Sequence, residues 1–311
     1  MNKLLKPMMI DIKNIEFNNI KAQFVLSHPQ IVDNVAMIPV FSKQTVDNSP
    51  RFMDEAMMNK ELIIREIGNW DGVKLENQSD DYVVVPSGSH FVGGKQNRGI
   101  DRISVLEPME NKNVDVHCFQ QGRSHGDSTF DGLSETPVDV ILKTMTTKGT
   151  GGSWDEISKY TSHTGQEEGG ALSAFMEKTE EDRSKIVLNF ETCNNQTGVI
   201  SVFGNEYIMF ESFPNHEVFN KYRSSIYRGK MASYVWKNMK NRENKQLIYP
   251  STVHARVDAL FKEMKVIFEY ATNQVKSDDY TVFHGTRKNG VSDMIVNNQN
   301  QLVYMFTILR L

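Results

Sequence analysis

Between residues 70 and 120 short apolar or alternating runs recur at roughly ten-residue spacing, and this rhythm constrains the fold more than any other feature. The runs are Val73–Glu76, Tyr82–Val85, Ile103–Leu106 and Val114–Phe119. Between them lie Asn77-Gln78-Ser79-Asp80-Asp81, Pro86-Ser87-Gly88-Ser89 and Glu110-Asn111-Lys112-Asn113, all residue types that favour turns over ladders. Strands of this length and spacing predict a largely antiparallel sandwich or barrel-like sheet.

Helical patterns elsewhere make the class α+β. Glu217–Lys240 and Thr252–Tyr270 are two long helices in the C-terminal third. The second carries Val253, Val257, Leu260, Phe261, Met264, Ile267 and Phe268 on one face. Shorter helices are expected over Phe52–Asn59, Trp154–Tyr160 and Gly170–Lys178, with the acidic stretch Glu177–Asp182 ending the last. Val138–Met145 suits either strand or helix. Ile186–Phe190, Thr197–Phe203 and Tyr207–Phe213 read as a β-meander turning at Gly204-Asn205. Val35–Phe41 reads as a strand whose Pro39 argues for an edge. Leu62–Ile67, Tyr280–His284 and Gln301–Leu309 are further strands. Residues 1–34 are an N-terminal arm or edge element. Residues 35–311 are one α+β domain or two closely packed halves, the break then falling near 125–153.

At 311 residues, with 39% hydrophobic and 24% charged side chains, the chain can bury a full core and lies far from the disordered class. Its net charge of −4 lacks the basic excess of a nucleic-acid binder, so no nucleic-acid partner is expected. The run Lys221, Arg223, Arg228, Lys230, Lys237, Lys240, Arg242 and Lys245 reads as the solvated face of a helix. No apolar stretch suits a signal peptide or a membrane span, so no membrane partner is expected and the localisation is cytoplasmic. Cys118 and Cys193 could form one disulfide but no disulfide framework.

Chemistry concentrates in residues 87–125. In Gly93-Gly94-Lys95-Gln96-Asn97-Arg98 glycines let backbone approach a ligand, and Lys95, Gln96, Asn97 and Arg98 bring many donors. The loop suits a phosphate or carboxylate, though it lacks the spacing of a Walker A loop. The alternative is a hairpin turn with satisfied polar groups. Gln121 and Arg123, after the strand that ends in His117-Cys118, would meet this loop across the sheet. His117, Cys118, His125 and Asp127 lack any metal-ligand spacing, and no metal is assigned. Ser153 and Glu156 form a capping box, and Gly149-Thr150-Gly151-Gly152 before it offers an anion-binding helix start. Glu211 is a lone carboxylate in an apolar strand, either an ion-pair partner or a site residue.

These residues carry a resemblance. Gly93-Gly94-Lys95-Gln96-Asn97-Arg98, Ser104-Val105-Leu106, Cys118, Gln121-Gly122-Arg123, Trp154-Asp155-Glu156-Ile157, Gly198-Val199-Ile200, Glu211 and Phe213 resemble the signature of a prokaryotic domain family. It is named for its association with ADP-ribosylglycohydrolases and rhodanese-phosphatases. The resemblance implies a nucleotide or ADP-ribose context. The family carries Gly-Glu where this chain has Gly88-Ser89, and Cys-Val-Glu where it has Cys118-Phe119-Gln120, so two acids are neutral here. Binding of a phosphorylated small molecule, through Lys95, Gln96, Asn97, Arg98, Gln121, Arg123 and Glu211, is therefore the first reading. A self-assembling homo-oligomer with a vestigial pocket is the second. A hydrolase of nucleotide-linked substrates, its acid drawn from Glu211, Asp155 or Glu156, is the third. No cofactor is identified.

Overall fold

The computed structural model describes residues 17–68, 72–147, 152–162, 170–241, 248–271 and 273–311. The first 16 residues of the arm, Gly149-Thr150-Gly151, most of the loop 161–169, and Arg242 and Lys245 of the basic run lie outside the described residues.

The ten-residue rhythm divides between a six-stranded barrel, which takes the runs at Val73–Glu76 and Val114–Phe119, and a small sheet beside it. The barrel strands run, in order around the wall, Asn111–Cys118, Gly72–Asn77, Leu62–Glu66, Thr129–Ser134, His90–Gly93 and Arg98–Ile100. Leu62, Ile64, Val73, Leu75, Phe91, Ile100, Val116 and Phe130 fill it, and helix Met53–Met58 adds Met53 and Ala56. Beside it Ser104–Leu106, Val83–Val85 and Arg51–Phe52 form a three-stranded sheet.

The second unit is a nine-stranded sheet. Gly198–Phe203 and Tyr207–Ser212 pair as a hairpin at its centre, flanked by Val35–Ser42 on one side and Leu302–Arg310 on the other. Gly290–Asn297, Tyr280–Arg287 and Asn273–Lys276 continue outward from Leu302–Arg310. Every residue of the central hairpin strands is buried, because both faces are covered. On one face helix Pro250–Glu269 lays Val253, Val257, Leu260, Met264, Ile267 and Phe268 on Phe210, Phe283 and Met305. On the other face Tyr207, Met209, Phe213, Tyr304 and Phe306 meet the three-stranded sheet, helix Val138–Thr146 and the long helical run 216–241.

Several expectations need correction. Pro39 is interior: Val35–Ser42 pairs with Gly198–Phe203 on one side and with Phe24–Leu26 and Gln30–Val32 on the other. The Pro39 carbonyl accepts from Ser27 N at 3.0 Å, so its missing N–H falls on that same side, where one short neighbour gives way to the next. Ile186–Phe190 is no strand. Glu180–Val187 is a helix, its first turn holding Glu180, Glu181 and Asp182 at the positive end, so the acidic stretch ends helix Leu172–Lys178 at Glu177-Lys178 and also begins the next one. Gly290–Asn297 is a full strand that the sequence did not announce, since Asp293 interrupts its apolar run. Ser153 caps nothing: its hydroxyl pairs with Thr144 Oγ1 at 2.8 Å, and Glu156 holds Lys159.

The basic run is only partly solvated. The helix from His216 to Asn241 passes through a π-helical stretch at Ser225–Ala232. Lys230 and Lys237 are buried, paired with the buried carboxylates Glu211 and Asp139.

Candidate functional site

The two chemistry-rich segments do meet. Arg123 folds over the turn between His90–Gly93 and Arg98–Ile100, donating from Nη2 to Gly93 O (2.9 Å) and from Nη1 to Gly94 O (2.8 Å). It also donates to Asn97 Oδ1 (2.9 Å) and Gln120 Oε1 (2.7 Å). Gly94 has φ +58°, and a Cβ there would stand 2.6 Å from Phe130, so both backbone and space require glycine. Asn97 Oδ1 accepts from Gly93 N, and Asn97 Nδ2 donates to Ser173 Oγ (2.8 Å), tying the turn to helix Leu172–Lys178. The Gln96 amide donates to Gln120 O.

Arg98 is wholly buried, with Nη1 donating to Gln96 Oε1 (3.1 Å) and lying 2.6 Å from Cys118 Sγ, and Nη2 3.8 Å from Glu66. Glu66 also accepts the Lys95 backbone N–H at 3.0 Å. Gln96, Asn97, Arg98 and Arg123 thus form one interlocked brace, with the Lys95 side chain exposed at its tip. Gln121 is exposed and borders a separate hollow with Gly122, Trp154, Ile157 and Ser158.

Glu211 borders a different space, a cavity of about 250 Å³ where barrel, sheet and π-helical stretch converge. The turn Pro86-Ser87-Gly88-Ser89-His90 supplies one wall and Leu133-Ser134-Glu135-Thr136 another. Lys221, Tyr222, Ser225, Ile226, Arg228 and Lys230 line the helical side, and Asp54 completes the ring of charge. A π-helical turn inserts a residue into the α-helical stack and often marks a functional site. Gly229 belongs to it: a Cβ there would stand 2.8 Å from Glu135 Cβ, so glycine lets the helix close on this wall. A glycine between Arg228 and Lys230 inside a helical pattern was the available sequence signal.

Buried charges here are paired. Glu211 accepts from Tyr304 OH at Oε1 (2.9 Å) and from Lys230 at Oε2, and Lys230 lies 5.1 Å from the Phe306 ring centroid. Glu135 accepts from Arg228 Nε at Oε1 (2.7 Å) and from Arg183 Nη1 at Oε2 (2.6 Å). Lys221 pairs with Glu55 and Glu217.

Burial pushes the Asp54 carboxyl up to about 6, against the pull of Lys230. It pushes the His90 imidazole down to about 4, against its bond to the Glu135 carbonyl. A carboxyl raised by folding lowers stability as pH climbs from about 4 to 6; an imidazole depressed by folding lowers it as pH falls from 6.5 to 4. The two oppose each other. Asp54→Asn, which removes the first, is expected to stabilise the chain at pH 7 by at most about 3 kcal/mol, less what water reaching the half-buried carboxyl screens. That gain should vanish by pH 4 in urea titrations of both proteins. A difference independent of pH would refute the assignment.

Among the described residues no group of His, Cys, Asp and Glu is placed to hold a metal ion, and no helix is long and apolar enough to cross a membrane. Cys118 and Cys193 are free thiols. No curated protein and no solved structure matches the chain. A family model does, over residues 23–308, and its description is ARG and Rhodanese-Phosphatase-superfamily-associated Protein domain.

Proposed function

The chain belongs to the ARG and Rhodanese-Phosphatase-superfamily-associated Protein domain family, and we propose that it binds a phosphorylated small molecule, of nucleotide or ADP-ribose type, in the cavity beside the π-helical stretch. The observation that carries this reading is the distribution of polar groups around that cavity. Arg228 and Lys221 retain 30% and 44% side-chain exposure, while Glu211 and Lys230 are buried in the wall. Arg228 spends Nε on Glu135 and Nη1 on Glu180, and its remaining N–H groups suit a phosphate oxygen. Asp54, Glu135, Glu211, Ser87 and Ser89 are oxygen-bearing partners for hydroxyl groups.

Of the seven residues singled out from the sequence, this reading keeps Glu211 in the ligand site. It assigns Gln96, Asn97, Arg98 and Arg123 to bracing the barrel wall from which the cavity's turn springs. The position that is acidic in the family and serine here, Ser89, lines the same cavity, so its loss of charge bears on the ligand directly.

Calorimetric titration with AMP, ADP-ribose and ribose 5-phosphate tests the proposal. Arg228→Ala is expected to weaken the ligand that binds by roughly tenfold to a hundredfold, the worth of a hydrogen bond to a charged group. Lys95→Ala should leave affinity unchanged. No binding by any of the three, or loss in Lys95→Ala alone, would overturn the cavity reading.

A further inference from the structure

Ser87 borders this cavity at 7% exposure, and its hydroxyl is committed in the other direction. Ser87 Oγ lies 2.5 Å from Asp293 Oδ2, on the unannounced strand of the large sheet. Asp293 is fully buried, and its Oδ1 lies 2.5 Å from Nδ1 of His284, its direct cross-strand partner. His284 Nε2 lies 3.0 Å from the hydroxyl of Thr286, which is exposed.

The protons in this chain can be assigned from bonding capacity alone. A carboxylate only accepts, so Ser87 O–H and His284 Nδ1–H must both point at Asp293. The single hydrogen of Ser87 is therefore used inside the protein. Toward the cavity Ser87 offers lone pairs only, and Glu211 does the same, both its oxygens already accepting. A ligand group that meets either oxygen must therefore bring a donor of its own.

We propose that Ser87, oriented by Asp293 and His284, selects a hydroxyl on the ligand, making the preferred ligand a sugar phosphate and not a phosphate alone. The inference rests on the cavity being the phosphate-ligand site proposed above. Size agrees with it. About 250 Å³ lies below the roughly 300–1,000 Å³ of sites that enclose drug-sized ligands, so a sugar with its phosphate is enclosed and any base or second phosphate stays outside.

The test compares ribose 5-phosphate, n-propyl phosphate and inorganic phosphate by calorimetry. Wild type should prefer ribose 5-phosphate to n-propyl phosphate by about threefold to tenfold, the value of one hydrogen bond of ordinary strength. Ser87→Ala should abolish that preference while leaving n-propyl phosphate affinity unchanged, and Ser87→Thr should restore it. Equal affinities in wild type, or a preference that survives Ser87→Ala, would overturn the inference and leave the phosphate site standing. Failure of all three compounds to bind would overturn both.

Discussion

Asp139→Ala is expected to cost the fold about 3–5 kcal/mol, the usual consequence of removing one partner from a buried ion pair. Asp139 sits in the first turn of helix Val138–Thr146 and is 2% exposed. It accepts from Lys237 Nζ at 2.6 Å and from Tyr160 OH at 2.6 Å. Burial alone would lower the Lys237 pKa, but Asp139 outweighs it and holds the ammonium above its ordinary value. The rings of Tyr160 and Tyr234 flank that ammonium at 5.2 and 5.1 Å. Without Asp139 the charge stays among rings, with Glu206 and Glu156 as its remaining carboxylate neighbours. Replacing both partners, as Asp139→Leu with Lys237→Met, should recover part of the loss, since an apolar pair needs no hydration while the buried Tyr160 hydroxyl still loses its acceptor. Guanidinium unfolding of the single and double variants decides it; a single variant within about 1 kcal/mol of wild type would sink the account.

Glu135→Ala is expected to be equally costly, about 3–5 kcal/mol, and to damage the cavity as well. Arg183 is 1% exposed, and Glu135 is its carboxylate partner. Its other bonds go to Thr179 Oγ1, Met176 O and Arg228 O, none of which carries charge. Glu135 also separates Arg183 from Arg228, so its removal sets two guanidinium groups facing each other. The π-helical stretch should loosen first, because Gly229 rests on the Glu135 side chain. Denaturant unfolding together with limited proteolysis between Lys221 and Lys240 would reveal it. Unchanged stability with an intact cleavage pattern would show that the pair contributes nothing.

Where periodicity carries the information, the sequence was readable. Leu62–Glu66, Gly72–Asn77, Asn111–Cys118 and helix Pro250–Glu269 follow from apolar spacing, because each needs only one recurring buried face, whereas the barrel strands Thr129–Ser134, His90–Gly93 and Arg98–Ile100 each carry a glycine and were not read as strands. Gly290–Asn297 escaped because Asp293 and Ser292 look like turn residues until His284, Ser87 and Thr307 are seen beside them. Ile186-Val187 looked extended because β-branched residues favour strands, yet the buried Arg183 and the acidic first turn place them at a helix end. Lys230 and Lys237 fell into a run of surface-like cations, and only partners distant in sequence, Glu211 and Asp139, reveal them as interior groups.

The turn at residues 93–98 was legible as unusual, and its meeting with Arg123 was anticipated as a possibility. That Arg123 would spend its donors on the Gly93 and Gly94 carbonyls depends on backbone direction, which residue identity does not encode. The cavity itself is assembled from residues between Met53 and Lys230 that share no local pattern.

The placing of the barrel within the chain also sets an order of events during synthesis. All six barrel strands lie between Leu62 and Ser134, so each can find its neighbour soon after it leaves the ribosome. Val35–Ser42 emerges earlier and must wait for Gly198–Phe203, which is made only after the barrel is complete. Through that interval a strand of mostly apolar residues has no ladder on its central side, and such a strand is a template for wrong pairing. The two short N-terminal strands cover only its other side, and Pro39's missing N–H falls on that side too, so the central ladder stays open until its partner arrives. Pairing across so long a loop is expected to be slower than closing the barrel.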